Sequence, residues 1–167
     1  MMNYLDIDKA LVDITRAKCV ECKARLDAVA KDNKAERKAL QIELGMYTLC
    51  GNAGLLFNTY GTREGLYRTR QNFWGYVLTK FPKHQEVYNT LNEDEKMCFM
   101  AAWQAELFMR DQLLGGYVTE FAQAEAAGDA KNTFEFRIKI GAVREMLTIW
   151  ENWRKENEIY PGLMEEE

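Results

Sequence analysis

Few residues in this chain have the types and spacing that chemistry requires. The sequence has no serine, and His84 is its only histidine. Serine hydrolases are excluded because they need a serine hydroxyl as nucleophile. An HExxH zinc site and a di-iron site with paired Glu-x-x-His motifs are excluded because each needs two histidines. Neither of the common glycine-rich phosphate-binding motifs occurs in the sequence.

Cys19 and Cys22 have the spacing of a zinc-ligand pair, which Cys50, Cys98 or His84 would have to complete. Structural zinc sites usually draw on two close pairs of ligands, and only one such pair exists here. Both cysteines also fall on the apolar stripe of a predicted helix, where a thiol packs well. We therefore expect them to be reduced, buried and free of metal, and we expect no cofactor. Large apolar neighbours raise the pKa of Cys50 and Cys98, which disfavours nucleophilic attack.

The clearest binding signal is residues 61–84, with five Lys/Arg, one Glu and five aromatic residues in a chain of net charge −4. Arg, Trp and Tyr dominate interface hot spots, and they also stack on bases and contact phosphates. The predicted partner-binding residues are Arg63, Tyr67, Arg68, Arg70, Trp74 and Tyr76. In the competing interpretation the arginines are only solvated, and Leu66, Phe73, Val77 and Phe81 are core.

An acidic stretch follows, because residues 91–127 carry seven acidic and two basic groups. The alternative binding face consists of Glu93, Asp94, Glu95, Glu106 and Asp111, which could mimic a phosphate backbone against a basic protein. All-α nucleotide pyrophosphohydrolases hold magnesium with carboxylates, but the expected Glu-x-x-Glu and Glu-x-x-Asp pairs are missing here. Glu93 and Asp94 are more typical of a helix N-terminus.

The fold class predicted from the spacing of apolar residues is all-α, a single-domain bundle of five or six helices. Asp6 or Asp8 is predicted to cap a helix over about 7–31, and Asn33 with Glu36 opens a second. Thr62 is predicted to cap a third helix, which Pro82 stops. Six of the eleven glycines lie between 45 and 75, which predicts a kink or a loop there.

The second half of the chain contains the predicted core. Asn92 and Glu95 open a helix that is apolar on most sides and that Gly115-Gly116 is predicted to end. A short helix over 117–127 follows, and Asn132 with Glu135 opens a last helix to about 157. Its stripe of Phe136, Ile140, Val143, Leu147 and Trp150 is expected in the core. The domain is predicted to span 1–161, with 162–167 as a frayed acidic tail.

These patterns predict a non-enzymatic protein that occupies a surface on another protein or nucleoprotein complex. Small acidic helical proteins without catalytic motifs are common among phage and mobile-element accessory factors, including inhibitors of host defence complexes, and we expect this class. The alternatives are a nucleic-acid-binding module using residues 61–84 and, third, a small metal-dependent nucleotide hydrolase. No signal peptide or membrane span is predicted, so a cytoplasmic location is expected. The oligomeric state stays open.

Overall fold

The computed structural model describes residues 2–53 and 63–164, of which 63–70 are described as backbone only. All regular secondary structure in these residues is helical, which confirms the predicted all-α bundle. The elements are α1 (Tyr4–Ala28), α2 (Lys34–Gly51), α3 (Arg63–Lys80), α4 (His84–Thr90), α5 (Glu93–Leu107), a π-helix (Phe108–Leu114), α6 (Gly115–Ala126) and α7 (Ala130–Glu156). Because α5, the π-helix and α6 run on without a break, the described chain forms six helical segments.

Local hydrogen bonds explain where the helices begin. The Asn33 and Asn92 side chains cap α2 and α5, as predicted, by accepting from the backbone N–H groups of Glu36 and Glu95. For α1 the predicted cap was wrong. Asn3 is the cap, and the Asp6 carboxylate completes a capping box by accepting from the Asn3 N–H at 3.2 Å.

The helix that contains α5 does not end at Gly115-Gly116, as the sequence predicted. Gly115 keeps helical angles of φ −57° and ψ −46°, and its N–H donates to the carbonyl of Arg110, five residues earlier. That bond is the π-helical pattern, which usually appears only as a single turn within an α-helix. Glycine costs only about 1 kcal/mol inside a helix, so packing of α6 against α7 outweighs the local preference.

The predicted core helix is confirmed for four residues of its stripe, because Ile140, Val143, Leu147 and Trp150 of α7 are buried. Phe136, the fifth, is only half-buried. The helix also begins earlier than predicted, because Asp129 rather than Asn132 caps it by accepting from the Asn132 N–H. α7 packs against α1, α2, α5, the π-helix and α6. Trp150 is fully buried, and its indole N–H donates to the carbonyl of Ala102 on α5 at 3.0 Å. This bond satisfies the polar atom that such a large side chain brings into a core.

Residues 157–163, here called the C-terminal strap, are held by a buried ion pair. Arg154 Nε lies 2.5 Å from Glu106 Oε1, and both side chains are 1% exposed. Arg154 also donates to the Ile159 carbonyl, and Glu106 accepts the Leu163 N–H at 3.1 Å. Contrary to the expectation of a tail frayed from residue 162, Gly162 and Leu163 are buried. Residues 165–167 lie outside the described chain.

Candidate binding cleft between α3, α4 and α5

The basic-aromatic stretch forms α3, and one of its helix faces belongs to the core. Phe73, Val77 and Phe81 are buried, as in the competing interpretation. Trp74 is only 4% exposed, so its assignment to an exposed patch was wrong. The physical reason is that its ring packs against Tyr88 and Trp103, with ring centroids 4.9 and 5.6 Å away.

The other predicted partner-binding residues divide into two groups. Arg63, Tyr67, Arg68 and Arg70 belong to α3, but their side chains lie outside the described part of the structure, as does that of Leu66. Tyr76 is 47% exposed, as predicted. Its hydroxyl lies 3.2 Å from Asp111 Oδ2 and 3.2 Å from Lys80 Nζ. The hydrogen bond from Lys80 to Asp111 raises the pKa of the lysine.

The predicted acidic face is not one surface. Glu106 is buried against Arg154, so it cannot contact a partner. Glu93, Asp94 and Glu95 form the first turn of α5, where carboxylates interact favourably with the helix dipole. Asp94 and Glu95 border a cleft of about 400 Å³ beside the first turn of α1, whereas Glu93 borders a different cleft.

This second cleft, which we call the binding cleft, brings residues from both predicted faces together. Four residues of α3 line one side of it at positions i, i+3, i+4 and i+7, which share one face of a helix. They are Gln71, Trp74, Gly75 and Leu78, and they lie opposite Tyr88 of α4 and Glu93 and Lys96 of α5. The cleft has a volume of about 380 Å³.

The charged groups of the binding cleft are paired with each other. Lys96 Nζ lies 3.3 Å from Glu93 Oε1 and 4.2 Å from the centre of the Tyr88 ring. The Lys96 side chain is only 16% exposed. Its ammonium therefore interacts with a carboxylate and with an aromatic face at the same time. The lining therefore carries one positive and one negative side chain, and two of its seven residues are aromatic.

Gly75 and Trp74 of this lining have different surroundings. Gly75 is exposed to solvent, and a Cβ built on it would meet no described heavy atom within 4 Å. The indole Nε1 of Trp74 is buried and has no hydrogen-bond partner among the described residues. An unsatisfied buried donor costs about 1–3 kcal/mol, so such groups are uncommon in folded proteins.

Aromatic contacts connect the cleft wall to the C-terminal strap. Trp103 lies between Trp74 and His84, with ring centroids 5.6 and 4.5 Å away. The Trp103 indole N–H donates to the Pro161 carbonyl at 2.9 Å, and His84 Nε2 lies 2.7 Å from the Leu163 carbonyl. Because a carbonyl only accepts, His84 carries its proton on Nε2 in this contact. The strap thus fixes the rings behind the cleft.

Sequence reasoning missed the residues that face α3 across the cleft. Tyr88 belongs to α4, a seven-residue helix too short for its periodicity to be recognised. Lys96 could have been found, because the predicted box of Asn92 and Glu95 places it in the first turns of α5. What the sequence could not supply was the proximity of α3 and α5.

The four cysteines lie in α1, α2 and α5. Burial raises the pKa of Cys50 to about 12 and raises that of Cys22 and Cys98, which keeps these thiols protonated. All four cysteines are unpaired with one another, and Cys22 donates to the Leu40 carbonyl at 3.3 Å. Cys19 is only half-buried, contrary to the expectation that both members of the pair are buried. Within residues 2–53 and 63–164, no group of three or more His, Cys, Asp or Glu side chains is placed to hold a metal ion.

Among the described helices, none has both the length and the apolar character needed to cross a bilayer. Searches against protein-family models, curated protein sequences and solved structures found no match to this chain.

Proposed function

We propose that this protein is a non-enzymatic binding protein that contacts another protein through the binding cleft. The observation that supports the proposal is the cleft itself, where the exposed Gln71 and Gly75 of α3 lie opposite Tyr88 of α4 and the pair of Glu93 and Lys96 of α5. The cleft is concave and combines aromatic, aliphatic and charged side chains, a mixture that occurs in protein–protein interfaces. The free thiols fit a reducing compartment, and we propose a cytoplasmic site of action.

A protein partner is favoured over a nucleic acid by the charges beside the cleft. Glu93 lines it, and Asp94 and Glu95 follow in the same helical turn. Lys96 is the one cation of the described lining, and it is paired with Glu93, so the lining offers little attraction for a phosphate backbone. A protein surface can instead place apolar groups in the cleft and keep phosphates out of the interface.

The proposal is tested by site-specific photo-crosslinking. A photoreactive benzoylphenylalanine is placed at Gln71, which is exposed and lines the cleft, and in a matched variant at Gln41, which is exposed on α2. After irradiation in an extract of the cells that make the protein, crosslinked products are identified by mass spectrometry. We expect one protein partner to be crosslinked from position 71, to be competed away by unlabelled protein, and to be absent from position 41.

Other outcomes would overturn the proposal. Equal crosslinking from both positions would mean that the cleft is not the contact surface. A product that disappears on nuclease treatment would favour the nucleic-acid-binding alternative. That the partner belongs to a host defence complex stays a prediction, which the identity of the crosslinked protein decides.

A further inference from the structure

We propose that the groove beneath the C-terminal strap is a peptide-binding site that accepts the strap of a second copy of this chain. The product is a dimer in which each strap lies in the groove of the other protomer. Three features of the described chain support this exchange: the contacts of the strap, the turn that precedes it, and a second turn of the same geometry elsewhere in the bundle.

Buried side chains of the bundle hold the strap through its main chain. The Trp103 indole N–H donates to the Pro161 carbonyl at 2.9 Å. His84 Nε2 lies 2.7 Å from the Leu163 carbonyl. The Trp103 and His84 side chains are buried at 0% and 1% exposure, so their positions are fixed by the bundle rather than by the strap. The groove would offer the same bonds to an identical strap from another chain.

The groove also selects the sequence of the segment that it holds. Arg154 donates to the Ile159 carbonyl at 2.7 Å, and Glu106 accepts the Leu163 N–H at 3.1 Å. The Ile159 and Leu163 side chains are both buried. A Cβ on Gly162 would overlap the buried Arg154 guanidinium, so a larger residue does not fit there. A segment with isoleucine, glycine and leucine at these positions is what a second copy of the chain supplies.

The turn between α7 and the strap contains a residue in an unfavourable backbone conformation. Glu158 has a φ of 60°, in the left-handed region that costs a residue with a Cβ about 1–2 kcal/mol. Its N–H donates to the Lys155 carbonyl. The Ile159 N–H donates to the Arg154 carbonyl. These two bonds form a Schellman motif, in which glycine is the usual residue at the position of Glu158.

The turn between α6 and α7 has the same geometry with the favourable residue. Gly128 has a φ of 67°, and its N–H donates to the Glu125 carbonyl. The Asp129 N–H donates to the Ala124 carbonyl, which completes the same motif. The exposed Glu158 therefore makes the strap turn the strained one of the two. A short hinge under strain favours exchange, because a swapped strap keeps its groove contacts while the hinge is released.

Exchange is tested on the full chain by sedimentation equilibrium over a range of protein concentrations. We expect a dimer whose fraction rises with concentration. Glu158→Gly relieves the hinge of the monomer, and it should lower the dimer association constant at least about tenfold because each dimer contains two hinges. Glu158→Gln is the matched control, since it removes the charge but keeps the Cβ, and it should dimerise like the wild type.

The location of the straps in the dimer is determined by crosslinking. Protein made with photo-leucine, a light-activated leucine analogue of similar size, is mixed in equal amounts with the same protein labelled with nitrogen-15. After equilibration, the dimer fraction is irradiated, and crosslinks from position 163 to α4 or α5 are identified by mass spectrometry. If each strap occupies the other protomer's groove, about half of these crosslinks should join a light chain to a heavy chain.

A wild-type protein that stays monomeric at every concentration would overturn the inference. So would a dimer in which all crosslinks from position 163 stay within one chain, because the straps would then not be exchanged. Equal dimerisation of Glu158→Gly and the wild type would show that the strained hinge does not drive exchange, and this too would overturn it. The partner contact at the binding cleft is measured separately, from Gln71, and does not depend on these results.

Discussion

The hydroxyl of Tyr76 on α3 lies 3.2 Å from Oδ2 of Asp111 in the π-helix. The sequence assigned these two residues to different candidate binding faces, one basic and one acidic. Lys80 contacts both of them, and across the helix Trp74 and Glu93 line the same cleft. The two candidate faces therefore meet along α3. Substitutions on either face are expected to affect binding of the same partner.

A charge exchange in the cleft tests whether balance or sign matters for binding. We predict that Glu93→Lys and Lys96→Glu each weaken partner binding about twofold, because like charges at this spacing on a helix cost about 0.2–0.5 kcal/mol. The double variant Glu93→Lys/Lys96→Glu should recover much of the loss, since it restores an opposite pair. Affinity is measured by titration with the crosslinked partner once purified. If the double variant is weaker than both single variants, the sign of the charges matters.

Arg68 and Arg70 are the subject of a separate prediction, made from sequence alone. Changing both to Glu should abolish partner binding and leave the melting temperature within a few degrees of the wild type. The control variant is Arg144→Glu, which changes an exposed residue of α7 and should leave binding unaltered. Binding that survives the Arg68→Glu/Arg70→Glu change would remove both arginines from the contact.

The buried ion pair should dominate the stability of the C-terminal strap. Glu106→Leu leaves the Arg154 guanidinium buried without its carboxylate, and we predict a loss of about 3–5 kcal/mol in the free energy of unfolding. The double variant Glu106→Leu/Arg154→Met should lose less than Glu106→Leu alone, because no uncompensated charge remains. Urea denaturation of the three proteins gives the comparison. A double variant that is less stable than Glu106→Leu would mean that the strap needs the arginine for its own hydrogen bonds.

Asp8 should make stability depend on pH. It is 6% exposed, its Oδ2 has no partner among the described residues, and burial raises its pKa from 3.8 to about 7. Between these values the unfolded chain releases the proton that the folded protein keeps, so stability falls as pH rises from about 4 to about 7 and then levels off. The total change should be about 2–4 kcal/mol.

The measurement compares Asp8→Asn with Asp13→Asn, an exposed position on the same helix. Asp8→Asn should gain stability relative to the wild type as pH rises from 5 to 8, whereas Asp13→Asn should follow the wild type. If the difference between Asp8→Asn and the wild type is the same at both pH values, Asp8 is ionised in the folded protein throughout this range.

Trp150 is the position where a core substitution should cost most. Its side chain is fully buried, stacks on Trp153 with ring centroids 4.8 Å apart, and bonds to Ala102. We predict that Trp150→Ala lowers the free energy of unfolding by about 3–5 kcal/mol through the cavity that it creates. The half-exposed Val118→Ala on α6 is the matched truncation and should cost under about 1 kcal/mol. A loss below about 1 kcal/mol for Trp150→Ala would show that Trp150 contributes little to the stability of the core.

The parts of the fold that could be predicted are those encoded by residues that lie close together in the sequence. Asn33 and Asn92 cap helices through bonds to residues three positions away, and the stripe of α7 repeats over several turns. The buried face of α3 was harder to predict, because this helix has two apolar rows. One row contains Phe73 and Val77, and the other contains Trp74 and Leu78. Periodicity cannot decide which row is covered when the helix has two. The covering of Trp74 by Tyr88 depends on α4, which carries no periodic signal.

The candidate cleft could be predicted only in part for the same reason. Trp74 and Glu93 were singled out by residue type, but they were assigned to competing surfaces. Their shared location follows from the way α3 crosses α5, a long-range contact that no local pattern encodes. Gly75 was counted among the glycines that predict a kink or a loop, and in the structure it is an exposed residue of the continuous helix α3.

The π-helix gives this protein an unequal response to insertions and deletions along one helix. An α-helix turns by about 100° per residue, and a wider π-helical turn holds one more residue with little change in the direction of the helix that follows. Loss of one residue from Phe108–Leu114 should therefore convert this segment to a regular α-helix and keep Ala124 buried. One residue inserted into the first half of α6, which is already α-helical, would instead turn Ala124 out of its buried position.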